Sequence, residues 1–179
     1  VTGRQTLDNE QQPVVRVSWL QAVRYCNWLS AQQGLTPAYT HEGELITPVG
    51  TGYRLPSEAE WAWAARHALQ PTPLRYPWGA AMPPPPGSGN FADERGVLII
   101  WDRLFGTFAD ERAKALVNDW MAGYDDGYAA SAPVGRYAVS RVGLFDMGGN
   151  VSEWMHDRYD GTLVISPQPQ VDPFGAAPG

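Results

Sequence analysis

GYRLPSEAEWAWAAR, residues 52–66, is the stretch whose reading decides the fold of this chain. Pro56 and Ser57 open a helix. Ser57 with Glu60 spells a capping box, in which each side chain satisfies an orphan backbone N–H of the first turn. Trp61, Ala64 and Ala65 then fall on one inner face. His67 follows at the C-terminal end, where an imidazolium suits the helix dipole. No second histidine is spaced to make a metal ligand of it.

Upstream the same pattern occurs. Val14, Val15 and Val17 form a short strand-like apolar run after a flexible lead-in over 1–13, which has no signal-peptide character. Ser18 and Gln21 make another capping box. Trp19, Ala22, Val23, Cys26 and Leu29 recur at helical spacing and predict one buried face. Gly34 is placed to end that helix. Cys26 on that face reads as a small buried thiol. Residues 35–53 are turn-rich and predict a short hairpin or loop around Tyr39 and Leu45.

Downstream, residues 71–90 hold seven of the 16 prolines, including Pro83 to Pro86, and read as irregular and exposed, with Tyr76 and Trp78 turned inward as anchors. Phe91-Ala-Asp-Glu-Arg95 recurs as Phe108-Ala-Asp-Glu-Arg112. One five-residue echo does not make a repeat protein. The first copy reads as loop. The second starts an expected helix with Ala109, Ala113, Leu116, Val117 and Trp120 on one face. From Tyr124 to Tyr159 glycines, aspartates and aromatics exclude long helices, and the tail from Ser166 to Gly179 reads as irregular.

Composition bounds the function. A length of 179 residues suits one domain, and 44% hydrophobic residues supply a core. Eight Trp and eight Tyr beside 19 Gly and 16 Pro suggest loops pinned by large anchors. A net charge of −6 with 13 Lys plus Arg leaves no electrostatic footprint for nucleic acid. A single cysteine excludes an internal disulfide and gives no sign of compartment. No apolar run reaches membrane-spanning length.

Asp146-Met-Gly-Gly-Asn-Val-Ser-Glu153 sets two carboxylates around a glycine pair that lets the backbone turn its carbonyls inward. Such hard oxygens suit Ca²⁺, which takes 6–8 oxygen ligands. From the residues alone, Asp126 and Asp146 read equally as Asx-turn residues, with Glu153 a surface acid.

Six strings in order carry a resemblance: 13–30 (PVVRVSWLQAVRYCNWLS), 52–66, 76–79 (YPWG), 89–93 (GNFAD), 124–137 (YDDGYAASAPVGRY) and 143–154 (GLFDMGGNVSEW). Together, over about residues 13 to 175, they resemble the sulfatase-modifying-factor family, known from formylglycine-generating enzymes. The resemblance implies an α+β fold of C-type-lectin-like kind, loop-rich and low in regular secondary structure, with two main helices packed on short antiparallel strands. It implies two calcium sites. One takes the side chains of Asp146 and Glu153 and the backbone oxygens of Gly149 and Val151, with Trp154 beneath. The other takes the Asn90 side chain, the Phe91 carbonyl, the Asp126 carboxylate and the Tyr128 carbonyl. Thr107-Phe108 is a rival for the first pair, less apt because Thr107 serves better as a helix N-cap. Two carboxylates against one rank the Asp146 site as the tighter.

Catalysis in this family uses O₂ and copper held by two cysteines near the domain's end. Copper(I) wants thiolates, and Cys26 alone cannot supply a pair. Copper is therefore expected only if a further C-terminal segment brings cysteines. Iron-dependent relatives use histidine clusters, whereas His41, His67 and His156 are scattered. The family's opening strands and its closing Gly-Gly-Ser-Trp segment have no counterpart in 1–179, read as a single domain, so another chain or omitted sequence is expected to supply them. The function expected is a calcium-stabilised module that binds a peptide, protein or other ligand and is not catalytically competent as given. The alternative is a copper-dependent oxidase of a sulfatase cysteine. Calcium sites of modest charge favour an extracytoplasmic setting.

Overall fold

Ser18 turns an extended chain into the first helix. Its backbone stays extended (φ −77, ψ 159), its Oγ accepts the Gln21 N–H, and the Gln21 side chain accepts the Ser18 N–H at 2.7 Å. Two of the helix's orphan donors are thereby satisfied. The structure, a computed structural model, describes residues 10–67, 72–93, 96, 121 and 123–158. The chain divides into two compact units: Val14–Ala64 with Glu153–Gly179, here the helical unit, and Val1–Pro13 with Ala65–Ser152, here the loop unit.

The helical unit contains α1, Trp19–Gln32, and all but the last two residues of α2, Glu58–Arg66. Gly34 ends α1 with φ +67. Its N–H bonds to the Ala31 carbonyl and the Leu35 N–H reaches back to Ser30, a Schellman closure that side chains with a Cβ adopt only under strain. Val23, Ala38 and Tyr39 form the core, with Trp19, Cys26 and Leu45 packed on it. Burying Val23 contributes roughly 1.5–3 kcal/mol. The expected hairpin is present as an antiparallel Tyr39–Leu45 bridge, flanked by Thr40 N–H to Glu44 O and Ile46 N–H to Ala38 O. Asn27 brackets Tyr39, donating to its carbonyl at 2.8 Å and accepting its N–H at 3.1 Å.

The entry to α1 departs from expectation. Val14, Val15 and Val17 form no strand, because Arg16 sits at φ +60 and breaks the extended run; Val14 and Val15 are exposed. The entry to α2 is stronger than a capping box alone. Glu60 accepts the Ser57 N–H, and its carboxylate also takes a two-pronged pair from Arg54 at 2.6 and 2.7 Å. The segment after Glu153 returns along this unit. Trp19 donates to the Met155 carbonyl, His156 N–H to the Pro56 carbonyl, and Asp157 caps the Glu58 N–H.

The loop unit is held by side chains more than by ladders. Among the described residues, its pairings are isolated bridges, parallel for Asn90–Gly149 and Asp93–Met121. An aromatic ladder runs through it: Tyr76 stacks on Trp78 at 5.0 Å, Trp78 meets Phe91 edge-on at 5.1 Å, and Phe91 meets Tyr124 at 5.8 Å. Tyr76 and Trp78 are thus the anchors expected of them. Gly149 carries one of the close approaches. At φ +78, a Cβ there would lie 2.0 Å from the Asn90 carbonyl oxygen. Two helices in a loop-rich chain agree with the expected fold class. The helix expected over 108–120, Thr107 and the tail over 166–179 lie outside the described residues.

Candidate metal centre

The Asn90–Gly149 bridge brings the GNFAD string beside the glycine pair, and Asn150 donates its N–H to the Asn90 carbonyl at 2.7 Å. Asn90 is buried, and its Nδ2 donates to the Ala130 carbonyl in a very short bond. This leaves Oδ1 as the acceptor end of the amide. Asp126 arrives from 35 residues away: its Oδ2 accepts the Phe91 N–H at 2.8 Å and its Oδ1 accepts the Tyr128 N–H at 2.9 Å. Asn90, Phe91, Asp126 and Tyr128 are therefore drawn into one neighbourhood. Asp126 forms an Asx turn and a long-range clamp at once. Burial raises its pKa, the Phe91 and Tyr128 N–H groups oppose that rise, and the negative charges of Asp93 and Asp125 add to it.

Asp146 lies at φ +56, a region costly for a residue with a Cβ. Its Oδ2 accepts the Gly135 N–H at 2.8 Å. Its Oδ1 is buried and has no hydrogen-bond partner among the described residues. Leaving such an atom unmet costs about 1–3 kcal/mol. An oxygen-seeking cation would meet that need, so the donor chemistry of Asp146 fits calcium. Gly149 and Val151 lie in the same unit. Glu153 opens the second segment of the helical unit, where its Oε2 accepts the Trp61 indole N–H at 2.5 Å. Trp154, in that unit too, is about half exposed and donates its indole N–H to Val17 O.

Three contributors escape the sequence reading. Asp93 is fully buried and accepts the N–H groups of Gly96 at 2.7 Å and Asp126 at 3.0 Å. Asn150, at φ +66, imitates a backbone pair, accepting the Ala132 N–H and donating to its carbonyl. Tyr137 is buried with no partner for its hydroxyl among the described residues. Burial first, then Asp126 and its neighbours, pushes its pKa up. An asparagine after two glycines was the one available signal for Asn150.

Of the thiol and imidazoles, Cys26 belongs to the α1 face, where burial raises its pKa. His41 is exposed and His67 follows α2. His156 is buried, with Nδ1 3.2 Å from the Tyr39 hydroxyl, which in turn accepts the Leu55 N–H. With the Tyr39 hydroxyl donating, Nδ1 is the acceptor of a neutral ring, the form that burial favours by lowering the pKa of His156. Among the described residues, no three His, Cys, Asp or Glu side chains converge as a metal-holding group, so carbonyl and amide oxygens would have to complete any site.

Two capped helices, a returning segment, and loops clamped by Asn and Asp side chains define a loop-rich α+β domain of the formylglycine-generating-enzyme type. The chain belongs to the sulfatase-modifying-factor family: the Sulfatase-modifying factor enzyme 1-like domain matches residues 2–171. It is 34% identical over 179 residues to a formylglycine-generating enzyme of Thermomonospora curvata, across 99% of this chain and 44% of that protein. It is 30% identical over 163 residues to chaperone protein LppX of Paenibacillus barcinonensis, across 81% of this chain and 51% of that one. A crystal structure of CarF superposes with a TM-score of 0.53 at 26% identity, across 85% of this chain and 52% of CarF. The chain thus spans about half the length of the curated relatives it matches. No described helix is long and apolar enough to cross a membrane.

Proposed function

We propose that residues 1–179 form a calcium-stabilised binding domain rather than a catalytic one. The observation that carries this reading is the thiol inventory: Cys26 is the one cysteine, and it is committed to the α1 core. A copper(I) centre of the family's kind needs two thiolates. One raised, core-packed thiol does not supply them. Calcium supplies charge and a fixed link between loops. In the loop unit the residues to hold it are Asp146, with its unmet Oδ1 and the Gly149 and Val151 carbonyls nearby in sequence, and Asn90, Phe91, Asp126 and Tyr128. A relative that carries the name of a chaperone supports a binding role, with a peptide or protein segment as the ligand class.

The second reading is oxidation of a sulfatase cysteine by a longer protein that supplies the thiolate pair from outside these residues; the 34% identity to a formylglycine-generating enzyme favours it. Incubating the 179-residue chain, and separately the full gene product, with Cu(I), O₂ and a cysteine peptide of sulfatase type distinguishes the two. The binding reading expects no aldehyde from either, and peptide retention on the calcium-loaded chain. Aldehyde formed by the full product alone establishes the second reading, and aldehyde formed by the chain itself overturns the thiol argument.

A further inference from the structure

The resemblance assigns the Asn90 loop one carboxylate, Asp126. The structure puts a second beside it. Asp93 lies three residues beyond Asn90 and is fully buried, and its Oδ2 accepts the N–H of Asp126 itself at 3.0 Å. Its Oδ1 accepts the Gly96 N–H at 2.7 Å. Asp126 answers through its own carboxylate, which accepts the Phe91 N–H at 2.8 Å. The two strands of this braid, 90–93 and 126–128, hold each other through reciprocal carboxylate-to-amide bonds. No lysine, arginine or histidine is hydrogen-bonded to either acid among the described contacts.

A buried carboxylate is costly unless a positive charge answers it. Backbone N–H groups meet part of that cost, but two like charges held this close repel. The loop unit also holds an unmet buried hydroxyl. Tyr137 is 8% exposed, its hydroxyl is buried with no partner among the described residues, and of the charged groups that act on it Asp126 acts most strongly. Two desolvated acids and an unanswered hydroxyl favour a cation-binding role over a purely structural braid.

We propose that Asp93 is the second carboxylate of the Asn90–Asp126 cation site, a positioning residue that fixes the Asp126 backbone and adds its charge to the field that holds the metal. The inference rests on the calcium reading above and goes beyond the four donors that the resemblance supplies. It also removes the charge difference on which the ranking from sequence stood: with Asp93 counted, this site carries two carboxylates, as many as Asp146 and Glu153 supply, and Asp93 is fully buried.

The test is calcium titration by calorimetry, paired with urea unfolding in calcium and in EDTA, on the whole chain and three variants. Asp126→Asn is expected to lose one of two binding events. Asp93→Asn keeps the side-chain shape and should keep both events, with one at least about tenfold weaker, and its calcium-induced shift of the urea midpoint should shrink accordingly. Asp93→Glu keeps the charge but overfills the site. It should unfold at lower urea in EDTA while its calcium affinity stays within about threefold of wild type. A destabilised variant still reports, because the calcium-induced shift is read against its own EDTA midpoint. Lower EDTA stability of Asp93→Asn with unchanged calcium affinity would overturn the proposal. Absence of any calcium binding by the unaltered chain would instead sink the calcium reading itself.

Discussion

Glu60→Gln isolates the charge that anchors the start of α2. Gln preserves the acceptor for the Ser57 N–H, so the capping box survives and the ion pair with Arg54 does not. In the folded chain the Arg54 guanidinium holds the Glu60 carboxyl down at about 2, from an ordinary 4.5, with the Ser57 amide assisting. A drop of that size corresponds to about 3 kcal/mol if fully realised. The Glu60 side chain is 38% exposed, so solvent screening cuts this to about 1–2 kcal/mol. The folded value is depressed, so this stability is present above pH 4.5 and is lost as pH falls toward 2. Urea unfolding of both proteins at pH 7 and at pH 3 measures it. The difference at pH 7 should be about 1–2 kcal/mol, and at pH 3 less than half of that. A Glu60→Gln protein as stable as wild type at pH 7, or a difference that persists undiminished at pH 3, would refute the reasoning.

Gly149→Ala should cost at least about 3 kcal/mol in urea unfolding, since it sets a Cβ 2.0 Å from the Asn90 carbonyl at φ +78; a cost below about 1 kcal/mol would show that the two segments do not meet so closely. Burial lowers the His156 pKa below 6.5, so its contribution is complete above that pH and declines as pH falls beneath it. Melting temperature followed from pH 7.5 to 5 should therefore slope downward in wild type, and less steeply in His156→Gln. In calcium-free buffer, Tyr137→Phe removes an unmet buried hydroxyl and should leave stability unchanged or raise it by up to about 1 kcal/mol; a clear loss in thermal unfolding would reveal a partner for that hydroxyl.

Much of the helical unit was legible because its signals are local. Ser18 and Gln21, or Ser57 and Glu60, stand three residues apart, and a capping box is decided within one turn. Gly34 announced the end of α1 for the same reason. Arg54 was not read as a partner of Glu60, because nothing in its spacing requires the chain to fold back on the helix it precedes. The strand expected at Val14 to Val17 failed at Arg16, whose positive φ has no compositional signal. Tyr39 and His156 lie 117 residues apart, and their hydrogen bond belongs to tertiary structure alone. The pairing of Asn90 and Phe91 with Asp126 and Tyr128 came only through the family resemblance. Asp93 stayed hidden because an aspartate in a polar loop string looks solvated, whereas its burial depends on a segment that begins about thirty residues later.

Diffraction from crystals grown in excess calcium tests most directly whether oxygen atoms of the loop unit answer a divalent cation. An ion is expected about 2.3–2.6 Å from Asp146 Oδ1, and another beside Asn90 and Asp126. Water alone at both positions, with the Asp146 oxygen hydrogen-bonded to the protein, would contradict the calcium reading.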